Sequence, residues 1–335
     1  MRLVKPRRLR KGNKLRIVAP SSSMDVLDKK AVEGGVENLE KLGLEIEISP
    51  QVYRRHGHTA GTPEERANEL MTAFTDPEVD GIMAAWGGWN SSDILDRLDY
   101  EAIHKNPKVF IGYSDITSLS VALLLKAGLV NFQGPAFITF THPHLMSWEV
   151  EDFKKAVMST DAPRTLYASS TYIDDPYYYL HPEKPPLETH NPGWKTYKHG
   201  SAKGPLIGGH LGTLLSLAGT AYWPKLEGRI LFVEEDEEGG PSGNIARKFR
   251  QLEQTGAFRD IAALLIGRLP AASGLKEGDS LDMILNECLR GYRLPVATGF
   301  DFGHTNPIAT IPIGAKAVVD VDACSLVYLE SGVKK

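Results

Sequence analysis

Several features that would indicate particular protein classes are scarce in this sequence of 335 residues. It has only two cysteines, Cys288 and Cys324, which are far apart and lack the close spacing of metal ligands. We therefore expect reduced, buried thiols and a cytoplasmic protein. No apolar run approaches the roughly 20 residues of a membrane-spanning helix, and no secretory signal is evident, so no membrane partner is expected.

Strong charge of one sign is also missing. The formal net charge is -4, which argues against nucleic acid as an obligatory partner. The exception is the first sixteen residues, where eight basic residues occur without an acid, and a solvated basic edge is favoured there over an anion-binding arm. A hydrophobic content of 42% is typical of a globular protein, and the length favours two domains.

The first half of the chain alternates short apolar strands with amphipathic helices. Strands are predicted near residues 15–19, 44–48, 81–86 and 109–111, with helices between them. This order predicts an α/β domain with a parallel sheet, whose ligands collect outside the carboxyl ends of the strands.

The composition divides the chain into three parts. Residues 1–160 form the predicted N-terminal α/β domain, and residues 201–335 a smaller C-terminal α+β domain with a mixed or barrel-like sheet. Between them, residues 161–200 are rich in proline and tyrosine and are interpreted as a linker. Whether this linker covers a site or only packs on the surface stays open. Its tyrosines are Tyr172, Tyr177, Tyr178 and Tyr179.

A serine follows the fourth predicted strand. The strand ends at Gly112, Ser114 comes two residues later, and an apolar-periodic helix begins after it. This order can expose a nucleophilic hydroxyl beside the backbone N–H groups of a helix N-terminus, although an ordinary helix cap is the alternative. The Gly87-Gly88 turn also follows a strand, so both turns are expected at the same edge of the sheet.

A serine nucleophile needs a base and an orienting acid. His304 lies in a turn-rich loop between glycines, where it is either a base or a structural histidine. Glu234 ends an apolar strand and can orient an imidazole, whereas the acids at 235–238 are expected to be solvated. His142 and His144 flank Pro143 without an evident third ligand, so no metal site is predicted.

Taken together, these stretches resemble the LD-carboxypeptidase family of serine peptidases over nearly the whole chain. The resemblance is carried by an ordered set of short motifs: Pro20-Ser21-Ser22, Gly87-Gly88, Gly112-Tyr113-Ser114-Asp115-Ile116-Thr117, Gly208-Gly209, Leu231-Phe232-Val233-Glu234, Gly303-His304 and Pro312-Ile313-Gly314. It implies a catalytic triad of Ser114, Glu234 and His304, with the serine on the N-terminal domain and the other two on the C-terminal domain. It also implies a site between the domains, usually in a homodimer, and no metal or organic cofactor.

Within the family, the segment 87–92 followed by Leu98-Asp99-Tyr100 is similar to the microcin C self-immunity branch. That branch cleaves an amide between an acidic amino acid and a nucleotide-like group. Two departures bear on substrate identity: tyrosines stand where tryptophans are usual, and His210 follows Gly208-Gly209 where asparagine is usual. A muropeptide therefore stays an alternative substrate, and the roles of His210, Trp194 and the linker tyrosines in substrate binding stay open.

The resemblance leads to a hydrolytic mechanism with a small peptide or an aminoacyl-nucleotide-like amide as substrate. The backbone N–H groups of Gly88 and Asp115 are the predicted oxyanion hole, although the Asp115 side chain could also simply cap the following helix. The competing class is a non-catalytic two-domain protein that binds a small ligand in its cleft.

Overall fold

The structure is a computed structural model that describes residues 1–175, 183–237 and 242–335. Its strands in chain order are β1 Lys14–Val18, β2 Glu45–Ile48, β3 Gly81–Ala84, β4 Val109–Gly112, β5 Asn131–Gln133, β6 Arg164–Leu166, β7 Thr171–Ile173, β8 Glu188–His190, β9 Lys195–Lys198, β10 Ser201–His210, β11 Ile230–Glu234, β12 Ala263–Gly267, β13 Val296–Phe300, β14 Ile311–Ile313, β15 Lys316–Asp320 and β16 Ser325–Tyr328. Its helices are α1 Lys29–Glu40, α2 Pro63–Thr75, α3 Tyr100–Lys105, α4 Thr117–Ala122, α5 Phe137–Phe140, α6 Ser147–Val157, α7 Leu211–Ser216, α8 Ser242–Gln254, α9 Ala257–Asp260 and α10 Leu281–Cys288.

The first sheet has the predicted parallel α/β character. Its strand order is β14-β5-β4-β3-β1-β2, and β1 to β5 run parallel. Every residue of β3 and β4 is buried, as expected for central strands that are covered on both faces. Helix α2 begins where the sequence specifies a start: Thr62 and Glu65 form a capping box around Pro63.

The second sheet is mixed, which confirms the predicted architecture. Its order is β6-β16-β15-β10-β11-β12-β13-β9, with β10 to β13 parallel and the flanking strands antiparallel. The last residues of β10 and β11, His210 and Glu234, lie side by side in register. The parallel part of this sheet therefore presents its carboxyl ends at one edge.

The chain returns to the first sheet near its end. Strand β14 pairs antiparallel with β5, so the stretch predicted as a C-terminal domain contributes to both sheets. Strands β6 and β9, from the predicted linker, belong to the second sheet. The division of the chain at residues 160 and 200 stays a prediction.

One local expectation is wrong. Cys288 is buried as expected, but Cys324 is exposed, because it lies in the turn between β15 and β16; both thiols are free. Strand β13 runs to Phe300, so the loop that carries His304 begins at Asp301. No helix within the described ranges has both the length and the apolar content to cross a bilayer.

Candidate active site

Ser114 lies just beyond β4 in a strained backbone conformation. Its φ is +62°, in the left-handed region that a residue with a side chain seldom adopts. Ser114 is not a helix cap, since Tyr113 occupies the cap position of the short turn that follows and Ile116 that of α4. A strained serine between a strand and a helix is the arrangement that exposes a nucleophilic hydroxyl.

The structure brings Ser114, His304 and Glu234 together. The His304 Nε2 atom lies 3.1 Å from Ser114 Oγ, and its Nδ1 atom lies 2.7 Å from Glu234 Oε2. The Glu234 side chain is fully buried, and that of His304 is largely buried. Burial alone would lower the pKa of His304, but the facing Glu234 carboxylate outweighs it and raises this pKa above its ordinary value.

The Gly87-Gly88 turn closes over the serine. A Cβ atom on Gly87 would lie 2.8 Å from Ser114 Cβ and 3.3 Å from the backbone nitrogen of Asp115. Gly88 has a φ of +144°, and a Cβ there would collide with the hydroxyl groups of Ser21 and Ser22. Gly87 therefore allows the backbone to approach the nucleophile closely, and Gly88 allows it to approach the serines that follow β1.

The Asp115 side chain joins three loops and does not cap the following helix. Its Oδ2 atom accepts hydrogen bonds from Ser21 Oγ at 2.6 Å and from the backbone N–H of Ser91 at 2.7 Å. Ser91 Oγ also donates to the Asp115 carbonyl. This buried network holds the turn that carries Ser114 against the loops after β1 and β3. It uses the side chain and the carbonyl group of Asp115, and the backbone N–H of Asp115 lies next to Ser114.

The acidic run after β11 is not a solvated loop, contrary to the expectation from the sequence. Glu235 is as buried as Glu234, and it lies between two cations: Oε1 is 2.5 Å from His210 Nε2, and Oε2 is 2.7 Å from Lys248 Nζ. Asp236 lies 3.5 Å from the same His210 nitrogen. Glu238 lies outside the described residues.

Three of these side chains are also of the types that bind metal ions. In the described part of the chain, the group of three potential ligands within reach of one another is His210, Glu235 and Asp236. The Lys248 ammonium group already pairs with Glu235, so we describe the four side chains as an ion-pair cluster. His142, the other candidate, is buried and accepts a hydrogen bond from the His144 backbone N–H through Nδ1.

The loop that carries His304 is anchored by the N-terminal part of the chain, which the sequence did not indicate. Glu149 of α6 is buried and accepts hydrogen bonds from Asn306 Nδ2 at 3.2 Å and from the Ile308 backbone N–H at 3.0 Å. Burial raises the pKa of Glu149 to about 7. Asp152, one turn further along α6, accepts from the Thr310 backbone N–H.

The predicted linker holds the other side of this loop. Asp301 is fully buried and accepts hydrogen bonds from Trp194 Nε1, Asn191 Nδ2 and the Ser169 backbone N–H. Trp194 is itself buried and stacks on Phe300, so it is a core residue and not a substrate contact. Tyr172 packs on Arg268, which pairs with Asp301, while Tyr177, Tyr178 and Tyr179 lie outside the described residues.

A pocket of about 290 Å³ opens beside Ser114. Gly88, Trp89 and Asp115 line it from the N-terminal side, and His210, Asp236 and Lys248 line it from the C-terminal side. Trp89 is 63% exposed at this position. Its indole meets the His58 ring edge-on, with 6.5 Å between the centroids, and the rest of its surface lies open beside the cleft, where it can contact a bound molecule.

The chain matches the LD-carboxypeptidase N-terminal domain over residues 15–134 and the LD-carboxypeptidase C-terminal domain over residues 203–319. It is 35% identical to the carboxypeptidase-named protein YocD of Bacillus subtilis, over 96% of this chain and 98% of that one. It is 32% identical to the microcin C7 self-immunity protein MccF of Escherichia coli, over 93% and 91%. A Bacillus subtilis protein named as a murein peptide carboxypeptidase is also 32% identical, over 99% and 96%.

Solved structures show the same fold. An MccF-like protein from Bacillus anthracis superimposes with a TM-score of 0.92 at 31% identity, covering 97% of this chain and 99% of that chain. MccF in complex with aspartyl sulfamoyl adenosine superimposes with a TM-score of 0.89 at 29% identity, covering 99% and 100%. The chain therefore belongs to the LD-carboxypeptidase family, and it is a serine carboxypeptidase.

Proposed function

We propose that this protein hydrolyses an amide bond through an acyl-enzyme formed on Ser114, with His304 as the general base and Glu234 as its orienting acid. The observation that carries this proposal is the pair of contacts on one imidazole, 3.1 Å to the Ser114 hydroxyl and 2.7 Å to the Glu234 carboxylate. Both distances suit proton transfer through a single imidazole tautomer, in which Nδ1 donates to Glu234 and Nε2 accepts from Ser114.

The reaction proceeds in two halves. Ser114 Oγ attacks the carbonyl carbon while its proton moves to His304 Nε2, and the imidazolium then gives that proton to the departing amine as the C–N bond breaks. A water molecule next attacks the ester carbonyl and loses a proton to Nε2. The imidazolium then returns that proton to Ser114 Oγ as the ester C–O bond breaks, which releases the acid and restores the serine hydroxyl. Glu234 stays ionised and stabilises each imidazolium.

The oxyanion of each tetrahedral intermediate is assigned to the backbone N–H groups of Asp115 and Gly88. The close approach of Gly87 to Ser114 and to the Asp115 nitrogen supports this assignment. Backbone donors held in place by neighbouring loops need no reorganisation during the reaction, and one such donor contributes about 3–4 kcal/mol in comparable sites.

We assign the substrate to aminoacyl amides with a nucleotide-like leaving group. Support comes from the family relation to MccF, whose structure with aspartyl sulfamoyl adenosine has this fold, and from the exposed Trp89 at the pocket. A flat base can stack on such an indole. The muropeptide alternative is supported by the similarity to the murein peptide carboxypeptidase-named relative. Dimer formation and a cytoplasmic location stay predictions from the sequence.

The test is the variant Ser114→Ala, assayed with aspartyl sulfamoyl adenosine and with an LD-linked tetrapeptide. We expect kcat/KM to fall by at least about 10³-fold on the true substrate, because the nucleophile is removed. Mass spectrometry of the wild-type enzyme during turnover should show an acyl adduct on the peptide that contains Ser114.

Ser120→Ala is the matched control. Ser120 lies in α4, six residues from the nucleophile, and its buried hydroxyl has no hydrogen-bond partner in the described part of the chain. This variant should keep wild-type activity. Undiminished turnover by Ser114→Ala would refute the proposed mechanism, and the ratio of activities on the two substrates decides between them.

A further inference from the structure

A buried arginine of α2 contacts the two loops that lie beside the nucleophile. Arg66 is 1% exposed, and an arginine is rarely buried so completely unless its charge and its donors are matched. The carboxylate that it faces belongs to Asp93, at 3.1 Å, and the Asp93 side chain is itself 39% exposed. An ion pair with so exposed a partner contributes little, so it does not account for the burial of Arg66.

The guanidinium group donates mainly to the backbone. Its Nη1 atom donates to the carbonyl oxygens of Pro20 and Asn90, both at 2.8 Å, and its Nε atom donates to the Gly61 carbonyl oxygen at 3.3 Å. Its Nη2 atom donates to Asp93. The planar fork therefore binds several oxygens in fixed directions at once, which a lysine ammonium group cannot reproduce.

The two shorter contacts reach the loops that form the site. Pro20 directly precedes Ser21 in the loop after β1, and Asn90 lies two residues after Gly88 in the loop after β3. The loops also bind each other, since the Asn90 backbone N–H donates to Ser21 Oγ at 3.3 Å. A Cβ on Gly88 would lie 2.4 Å from the same hydroxyl oxygen, so the loops are in direct contact there. Arg66 therefore holds both loops at the place where Gly88 meets its neighbour.

We propose that Arg66 is a positioning residue that fixes the Gly88 backbone N–H where it stabilises the oxyanion. This role rests on that of Gly88 in the proposed reaction at Ser114. One guanidinium nitrogen binds both carbonyl oxygens, so neither loop can shift relative to the other without losing a buried hydrogen bond. Arg66 acts through the backbone of these loops and not on the substrate.

The test is Arg66→Lys, which keeps the positive charge and loses the planar fork. One ammonium group cannot hold both carbonyl oxygens in their present directions, so the Gly88 N–H should move relative to the oxyanion. Loss of one oxyanion donor costs about 10²- to 10³-fold in kcat, and a displaced donor should cost about 10- to 100-fold on the better substrate. KM should rise no more than about threefold, because a stacking contact at Trp89 tolerates a small shift that a hydrogen bond does not.

The pH profile separates a displaced donor from a disturbed base. Arg66 contacts carbonyl oxygens and Asp93, and not the His304 imidazole. The acid limb of the kcat/KM profile of Arg66→Lys should therefore stay within about 0.3 pH unit of the wild-type position. Urea denaturation verifies that the variant is folded at the temperature of the assay.

Arg16→Lys is the matched control. Arg16 of β1 is also buried, but it pairs with the side chains of Glu47 and Asp76, at 2.6 and 2.8 Å. The same substitution there should lower the free energy of unfolding and keep kcat within about twofold of wild type. An equal loss of kcat in both lysine variants would show a general effect of altering a buried arginine, and it would overturn the role of Arg66.

Asp93→Asn separates the hold on the carbonyl groups from the ion pair, and its result does not depend on whether Arg66→Lys folds. It removes the carboxylate charge and leaves the contacts with Pro20 and Asn90, so kcat should stay within about threefold of wild type. A larger loss in Asp93→Asn, a folded Arg66→Lys enzyme that keeps more than about a third of the wild-type kcat, or a shifted acid limb would overturn the inference. If Ser114→Ala remained active the proposed mechanism would fail, whereas these results beside an inactive Ser114→Ala would refute only the role of Arg66.

Discussion

Replacing Gly87 with alanine would place a single methyl group against the nucleophile. The new Cβ would lie 2.8 Å from Ser114 Cβ and 2.9 Å from Ser114 Oγ, where ordinary contacts begin at 3.4 Å. Gly87 does not have a positive φ, so alanine is compatible with its backbone and the conflict is purely one of space. Since Asp115 is tied to Ser21 and Ser91, the serine must retreat by about half an ångström or rotate away from His304.

A displacement of this size affects reaction geometry more than substrate affinity. A 1 Å misplacement can cost about 10²-fold in rate, so we expect Gly87→Ala to lower kcat by about 10- to 100-fold, or about 1.4–2.7 kcal/mol in the barrier. KM should change little. Overpacking should also lower the free energy of unfolding by about 1–3 kcal/mol.

The assay is steady-state hydrolysis of the better substrate, with urea denaturation to verify folding. Gly243→Ala is the matched control: this glycine lies in α8, and an added Cβ there meets nothing within 4 Å. It should keep full activity. A folded Gly87→Ala enzyme with more than half of the wild-type kcat would refute the argument that Gly87 positions Ser114.

Two further predictions concern stability. Burial raises the pKa of Glu149 to about 7, above the ordinary value of 4.5, so this group stabilises the fold below pH 4.5 and loses that contribution as the pH rises through 7. In denaturant titrations, the free energy of unfolding of Glu149→Gln should therefore rise by up to about 3 kcal/mol relative to wild type between pH 5 and pH 8. A difference that does not depend on pH would contradict this. A Cβ on Gly208, whose φ is +152°, would lie 1.7 Å from the Phe232 carbonyl oxygen, so Gly208→Ala should lower the free energy of unfolding by at least about 4 kcal/mol or abolish soluble expression. Gly228 has a φ of +67° and an added Cβ there meets nothing within 4 Å, so Gly228→Ala should lower it by only about 1–2 kcal/mol. Similar unfolding midpoints for these two glycine variants would show that the Gly208 contact relaxes without cost.

The sequence predicted the parts of the site that follow from local patterns. Ser114 follows a buried strand and Glu234 is the last residue of another. The ends of such strands can be predicted from the sequence because the apolar runs stop there. Motif order, which came from family resemblance, placed His304 with them. The mixed second sheet was also predicted, since its parallel strands are apolar runs separated by helices and turns.

What the sequence missed depends on distant partners. Glu235 belongs to an acidic run that resembles a solvated loop, and only the approach of His210 and Lys248 explains its burial. Glu149 is one acid on an amphipathic helix, and its partners lie more than 150 residues further along the chain. Strand β14 is three residues long with Pro312 at its centre, which indicates a turn unless β5 is available beside it.

The pairing of β14 with β5 has a consequence for how the protein is made. Strand β5 borders β4, at whose end Ser114 lies, and residues 311–313 of β14 pair along its outer edge. A chain under synthesis, or a fragment cut before that segment, leaves this edge unpaired and open to association with other chains. The His304 loop precedes β14 directly, so the pairing of β14 with β5 also fixes one end of that loop. We therefore expect a chain that lacks β14 to be inactive even if its first sheet forms.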